Sequence, residues 1–184
     1  MRWDRLFDDL EAQLEAVNQA DHAAEVADRT RREVARTRLA DRFRTSTGRQ
    51  VTCRVLGAGP VAGRVAAVGP EWVLIADPSG AEALLPAAAI VSVTGLGATS
   101  AVAGAEGRVA ARLGLGHVLR GLARDRATVA VTLVDGSAFT GTVDRVGADF
   151  VEVAEHGLGE ARRPHDVRGV RSVPFGGLGV LRRV

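Results

Sequence analysis

Apolar residues follow one spacing before residue 47 and another after it. The first 47 residues contain no glycine or proline, so nothing there obliges a helix to break. Five apolar residues alternate steps of four and three, which places them along one face of a helix. These residues, which we expect to contact a partner helix, are Trp3, Phe7, Leu10, Leu14 and Val17.

The apolar stripe weakens to alanines after Val17 and resumes at Val34, Leu39 and Phe43. Two arrangements fit this pattern: one helix of about 60 Å, or two helices joined by a bend near residues 18–22. The stripe also has two uses. It packs on the rest of the chain, or it forms a coiled coil with another chain, whose heptads are interrupted by Asp21 and Asp28.

After Gly48 the pattern changes to short valine-rich segments separated by glycine, proline and aspartate, which is typical of strands and turns. Asp135 and Gly136 predict a turn between a strand around residues 131–133 and a return strand at 140–146. Further strands are expected at 150–154 and 167–173. Arginine-bearing helical segments at 29–44 and 108–124 precede the two groups of strands, and Val109, Leu113, Leu119 and Leu122 supply the apolar face of the second.

The strand-rich part of the chain is similar to itself at a displacement of 78 positions, where residues 51–76 align with 129–154 without a gap. With two extra positions, residues 90–93 align with 170–173. Each copy predicts a leading helix and about five antiparallel strands, which curl most economically into a small barrel. The matched pairs are Gly63 with Gly141, Val65 with Val143, Val68 with Val146, Gly69 with Gly147, Trp72 with Phe150 and Val73 with Val151.

The second copy resembles the Sm-like (LSm) family. Residues 133–136 and 139–143 are similar to the first Sm signature, and residues 167–173, with their Arg-Gly pair, are similar to the second. The resemblance implies an α+β, mainly β fold with two Sm-like or SH3-like five-stranded barrels, each preceded by a helix. The expected divisions are a helical arm at 1–47, acidic and then arginine-rich, a first barrel at 48–97, a linker and helix at 98–127, and a second barrel with a glycine-rich tail at 128–184.

The family's RNA pocket is not reproduced in the sequence. The resemblance implies an aspartate and an asparagine that read a base, but these positions fall on Gly147 and Val151 in the second copy. In the first copy they fall on Gly69 and Val73. The family's way of binding RNA therefore does not follow from the resemblance, and binding has to be argued from charge.

Charge varies along the chain although the net charge is only +2. Residues 2–28 carry two arginines and eight acids, whereas residues 29–54 carry nine arginines and two acids. All basic residues are arginine, a bias that a high-GC bacterial genome produces through its codons. The basic belt and later arginines still predict phosphate contacts. The candidates for nucleic-acid binding are Arg29, Arg31, Arg32, Arg36, Arg38, Arg42, Arg162, Arg163, Arg168 and Arg171. Arg168 has a structural alternative, an ion pair with Asp149 or Asp144.

No catalytic, cofactor-binding or metal-binding residue is predicted. Residues 55–63 imitate a dinucleotide fingerprint, and Asp77 follows Gly57 by 20 positions. The segment is nevertheless too short to hold the crossover helix that parallel strands require. The single Cys53 lacks a partner for an intrachain disulfide, and the histidines lack metal-ligand spacing, so we expect them on the surface or in loops. They are His22, His117, His156 and His165.

The expected function is a non-enzymatic binding module without a cofactor. We expect it in the cytoplasm and not at a membrane, because the sequence shows no apolar run typical of a signal peptide or a membrane span. One hypothesis is association with RNA or a ribonucleoprotein through the arginine-rich helix and loops. The alternative is a protein-interaction adaptor or assembly scaffold, without nucleic acid. Such a scaffold uses the N-terminal helix and the barrel edges to bind a partner or another copy of itself.

Overall fold

The alternation of apolar and polar residues after Gly48 produces strands with alternating buried and exposed side chains in the computed structural model. The structure describes residues 2–99, 113–157 and 167–184. In its first helix it describes the side chains of residues 14, 15, 19, 21, 22 and 24–36. The chain divides into two compact units, Met1–Thr37 and Arg38–Val184.

The first unit contains one helix, α1 (Arg2–Arg36), of 35 residues. It continues through residues 18–22, where the second arrangement placed a bend, but it ends before Leu39 and Phe43 and is therefore shorter than the predicted single helix of about 60 Å. The break comes at residues 37–38. In the second unit, the backbone N–H of Arg38 donates to the carboxylate of Asp41 at 2.9 Å and starts a new short helix.

The described part of the second unit has two α-helices and ten strands. The helices are α2 (Leu39–Thr45) and α3 (Leu115–Arg124). The strands are β1 (Gln50–Val55), β2 (Gly59–Val68), β3 (Trp72–Ala76), β4 (Glu82–Pro86), β5 (Ile90–Thr94), β6 (Thr128–Leu133), β7 (Ala138–Val146), β8 (Phe150–Glu155), β9 (Gly169–Pro174) and β10 (Leu178–Arg183). The strands predicted around residues 131–133 and at 140–146 and 150–154 are confirmed.

All ten strands belong to one open antiparallel sheet in the order β5-β1-β2-β3-β4-β10-β6-β7-β8-β9. The prediction of two separate five-stranded Sm-like barrels in tandem is therefore wrong. Strand β4 pairs with β10, with Leu84 opposite Leu181 and Ala83 opposite Arg182, so no boundary separates two groups of strands. We call this β4–β10 pairing the seam. On its two sides, the order β5-β1-β2-β3-β4 has the same form as β10-β6-β7-β8-β9.

The two strands that form the seam, β4 and β10, are buried on both faces. In β4, Leu84 packs into one hydrophobic core, while its neighbours Ala83 and Leu85 pack into another. Strand β10 does the same, with Leu181 in the first core and Val180 in the second. Since successive strand residues point to opposite faces, the two cores lie on opposite sides of these central strands, and each core contains residues from both halves of the sheet.

The strand pairing corrects one part of the predicted self-similarity. Pro86 lies opposite Trp72, and Pro174 lies opposite Phe150, so β9 holds the place of β4. The predicted match of residues 90–93 with 170–173 instead equates β5 with β9, and it is wrong. The alignment allowed two extra positions, whereas the segment between β8 and β9 is longer than the β3–β4 loop by more than that.

Helix α3 is shorter than the predicted segment 108–124. It begins after Gly114, which is its N-cap, and it buries Leu115 and Leu119 against the sheet. Leu122 is partly buried in the same core, as the apolar spacing predicts. Leu113 precedes the helix, and the predicted Val109 lies outside the described residues.

The glycines that imitate a dinucleotide fingerprint form a hairpin turn. Gly57 and Gly59 have positive φ values of 70° and 71° and connect the antiparallel strands β1 and β2. A β-carbon on Gly57 would overlap the carbonyl oxygen of Leu133, because this turn lies directly against the β6–β7 turn. The glycines therefore serve close backbone packing, and the antiparallel hairpin excludes a parallel dinucleotide-binding unit.

Gly57→Ala tests the contact between the two turns, with Gly59→Ala as the matched control. Both changes place a side chain at positive φ, which costs about 1–2 kcal/mol, but only Gly57 has backbone atoms in the way. We expect Gly57→Ala to lower the free energy of unfolding by at least about 2 kcal/mol more than the control. Urea unfolding measures both values, and equal losses would contradict the close turn–turn contact.

Candidate interaction surfaces

The predicted phosphate-binding arginines of α1 lie among acidic residues. Arg29, Arg32 and Arg36 line a shallow groove that also contains Glu25 and Glu33. Arg32 forms an ion pair with Asp28 one turn earlier in the helix. Arg31 is exposed. The described helix therefore presents alternating charges, and not the continuous positive track that a phosphate backbone favours.

The arginines around α2 stabilise the fold. Arg42 donates from its guanidinium to the carbonyl of Gly97 at 2.9 Å. Arg44 pairs at 2.6 Å with Asp41, which is buried. Arg38 is exposed. Of the candidates in this segment, Arg42 thus has an intramolecular role that the sequence prediction does not assign to it.

Two of the candidates near the end of the chain are described and the other two are not. Arg171 forms an ion pair with Glu155 at 2.9 Å and lies over the ring of Phe139, 4.4 Å from its centroid. Arg168 is exposed, and its structural alternative, an ion pair with Asp149 or Asp144, stays a prediction. Arg162 and Arg163 lie outside the described residues.

The predicted partner-helix stripe is only partly described. Leu14 is 63% exposed, and the side chains of Trp3, Phe7, Leu10 and Val17 lie outside the described residues. Val26 and Val34, at other positions of α1, are also exposed. An exposed leucine leaves the helix available for a partner but does not select one.

Leu113, just before the N-cap of α3, forms a hydrogen bond with Trp72 at the end of the β2–β3 turn. The indole Nε1 of Trp72 donates to the carbonyl of Leu113 at 2.7 Å, and the ring is 9% exposed. A mainly apolar groove of about 290 Å³ lies next to it, with Leu115 and Phe175 in its wall. At the corresponding turn of the other half, Phe150 holds the place of Trp72 and is only half-buried.

The two outer strands of the sheet leave backbone groups without a strand partner. In the described part of the chain, β5 pairs only with β1, and β9 pairs only with β8. Each of these free edges exposes a large apolar side chain: Val91 in β5 is 58% exposed and Val170 in β9 is 57% exposed. In β9 the residues 169–172 are all exposed. We call β5 and β9 the free edges.

Two aspartates hold turns closed. The hydroxyl of Ser79 donates to Asp77 at 2.6 Å, and that of Ser137 donates to Asp135 at 2.7 Å. These side-chain hydrogen bonds, together with backbone N–H donors, hold the pKa of each aspartate below its usual value. Both carboxylates are thus committed as hydrogen-bond acceptors to their own turns, which explains them as structural residues.

The histidines differ in exposure. His22 and His117 are exposed, whereas His156 lies in the loop after β8, as predicted, but is buried, with 1% of its surface exposed. Its Nδ1 donates to the carbonyl of Gly157 at 2.9 Å, so its Nε2, 2.8 Å from the Thr142 hydroxyl, accepts in the neutral ring. His165 lies outside the described residues.

Chemistry-bearing residues do not form a further site in the described chain. Among those residues, His, Cys, Asp and Glu do not assemble in groups of three or more that fit a metal ion. Of the described helices, none is both long enough and apolar enough to cross a membrane. Neither protein-family models, nor curated proteins, nor solved structures match the chain. The resemblance to the Sm-like family thus gains no support from these comparisons.

The hydrogen bond between Trp72 and the carbonyl of Leu113 is tested by Trp72→Phe. The change keeps an aromatic ring but leaves the carbonyl without its donor, so we expect a loss of about 1–3 kcal/mol in the free energy of unfolding. Phe150→Leu is the control, because Phe150 is half-buried. Circular dichroism during urea unfolding measures both. A loss for Trp72→Phe no larger than for the control would show that the indole bond contributes nothing.

Cys53 predicts a simple dependence of stability on alkaline pH. Burial raises the pKa of its thiol from 9.0 to about 11, so the unfolded chain releases this proton first. Stability therefore falls as pH rises from about 9 to 11, by about 1.4 kcal/mol per pH unit. The sequence contains no lysine and no tyrosine, so no other side chain normally titrates in this range.

Unfolding of the native chain and of Cys53→Ala at pH 8, 9, 10 and 11 measures this dependence. The slope should disappear in the variant, which has no thiol. The same slope in both proteins would assign the effect to something other than Cys53.

Proposed function

We propose that the protein is a non-enzymatic assembly scaffold that binds another protein strand at the free edges of its sheet. The proposal rests on one observation: among the described strands, β5 and β9 each combine an edge without a strand partner with an exposed valine, Val91 and Val170. An added strand satisfies the edge N–H and C=O groups and covers the valine, which is the usual physics of recognition by strand addition.

The seam supports the same proposal, because it shows that the edge of one half of this sheet pairs with a strand from a distant part of the chain. Strands β4 and β10 come from distant parts of the chain, yet they pair and bury residues on both faces. An edge that ends in exposed apolar residues is otherwise a hazard for aggregation. A partner strand removes that hazard and gives the exposed valines a role.

Association with RNA is not proposed. Arg42 and Arg171 are engaged with Gly97, Glu155 and Phe139. The arginine groove of α1 contains acids of its own. Arg32, Arg42 and Arg171 thus have intramolecular partners, and the protein has no lysine that would share such roles.

Site-specific photo-crosslinking in the cells that make the protein tests the proposal. A photoreactive side chain is placed at Val91 or Val170, and the control position is Thr52. Thr52 is also exposed, but its strand β1 has neighbours on both sides. We expect covalent adducts with protein at both edge positions and few at Thr52. Mass spectrometry identifies the attached chain.

Two results would contradict the scaffold. One is an absence of protein adducts at both valines, and the other is an equal yield at Thr52, which would indicate random contact. Adducts that disappear after ribonuclease treatment would point to RNA at the edge instead. Each variant is compared with the native chain by circular dichroism, so a loss of folding is not taken for a loss of binding.

A further inference from the structure

We infer that the strand partner is a second copy of this chain, whose β5 pairs with β9 of the first copy in the register of the seam. The inference rests on the proposed function, since it names the occupant of the same edges. A second copy extends the sheet from ten strands to twenty and leaves one free edge of each kind at the ends.

Each free edge corresponds to one of the two strands that pair at the seam: β9 corresponds to β4, and β5 corresponds to β10. Strand β4 is the last of the order β5-β1-β2-β3-β4, and β9 is the last of the corresponding order β10-β6-β7-β8-β9. Strand β10 likewise holds the place of β5. Because β4 accepts β10 within the chain, β9 offers the corresponding surface to a β5 strand. One copy cannot satisfy both edges itself, since β5 and β9 are at opposite ends of the sheet.

Corresponding residues in these strands are 88 positions apart, as Pro86 and Pro174 show by their places opposite Trp72 and Phe150. The 3-10 turns that follow, Ala87–Ala89 and Phe175–Gly177, keep the same separation. Applied to Leu84 opposite Leu181, it places Ser172 of one copy opposite Val93 of the next. The neighbouring pair is then Arg171 opposite Thr94, which brings no like charges together.

The end of the sheet at β9 has the features expected of an unoccupied seam. Beside the seam, Trp72 at the β2–β3 turn is buried and donates a hydrogen bond to the carbonyl of Leu113. At the corresponding turn near β9, Phe150 is half-buried, and Val170 on the edge strand is exposed. Apolar groups left uncovered at this end are the ones that a second copy would bury.

The contact between copies is expected to be weaker than the seam. In β10, Gly179 is buried, and a β-carbon there would lie 2.7 Å from the carbonyl oxygen of Leu56. Strand β5 has Val91 at the corresponding place, so the turns of two copies do not approach as closely. Since the interface joins unlike edges, it is head-to-tail, and repeated contacts close into a ring or continue as a filament.

Cysteine pairs on the full chain test both the partner and the register. Val93→Cys with Ser172→Cys places thiols at the inferred opposite positions, whereas Val91→Cys with Ser172→Cys is two residues out of register. Both pairs are made in a Cys53→Ala background, because Cys53 lies opposite Val93 in the β1–β5 pairing and would compete for the new thiol within one chain. Under mild oxidation we expect the in-register pair to give about tenfold more covalent dimer and higher ladder than the control.

Light scattering on the native chain completes the experiment. An oligomer that crosslinks in register supports the inference. An oligomer that crosslinks equally in both variants, or in neither, overturns the inferred interface. A monomer at all concentrations overturns self-association as well. If the photo-crosslinks at Val91 and Val170 then contain a different protein, the scaffold proposal stands without a second copy. If they contain no protein, both proposals fail.

Discussion

The pairing of β4 with β10 is the constraint on which the second unit depends. Its register joins Leu84 to Leu181 and Ala83 to Arg182, a short contact by the standards of the other strand pairs. Its effect is large because the strands beside it are buried on both faces. If the two halves separated, each would expose one more unpaired edge, β4 in one half and β10 in the other, and Leu84, Leu181 and Val180 would lose their cover. Backbone pairing and apolar burial thus stabilise the same contact.

Glycine makes that contact specific. Gly57 brings the β1–β2 turn against the backbone of the β6–β7 turn, and Gly179 lets the β10 backbone meet Leu56. In both places there is no room for a β-carbon. The two halves therefore fit together because these two positions lack a side chain, as well as because apolar side chains pack between them. Because the backbones approach so closely, β4 and β10 cannot easily slide along each other. Their register is therefore defined, although only two residue pairs form it. At the free edge of β5, Val91 takes the place of Gly179. The free edges keep backbone N–H and C=O groups that can pair with a strand, but two copies do not approach as closely as the halves do at the seam.

The sequence predicts the local structure of this protein better than its long-range pairing. Alternating residues and the Asp135-Gly136 turn locate β6 and β7, because strands and hairpins are encoded by neighbouring positions. The seam is different: Leu84 and Leu181 are far apart in the chain, and the same alternation fits two closed barrels or one open sheet. The choice of which edge strands pair depends on the close backbone contacts at Gly57 and Gly179. The sequence around each glycine does not indicate which distant residue it contacts. The burial of His156 is also missed, since its hydrogen bond to Thr142 depends on the β7–β8 pairing that brings the two together.

Arginine content is a weak guide to phosphate binding for a related physical reason. In a chain without lysine, arginine supplies every fixed cationic contact, and its planar guanidinium suits a carboxylate, a carbonyl or a ring equally well. Arg171 uses two of these at once, with Glu155 and Phe139, and Arg42 uses the third, with Gly97. Counting charges therefore overstates the surface that is left for phosphate. Within the described residues, the outer backbone groups of β5 and β9 have no strand partner, and water or another strand satisfies such groups. The free edges, more than the charged side chains, are therefore the surfaces that we propose for binding a partner.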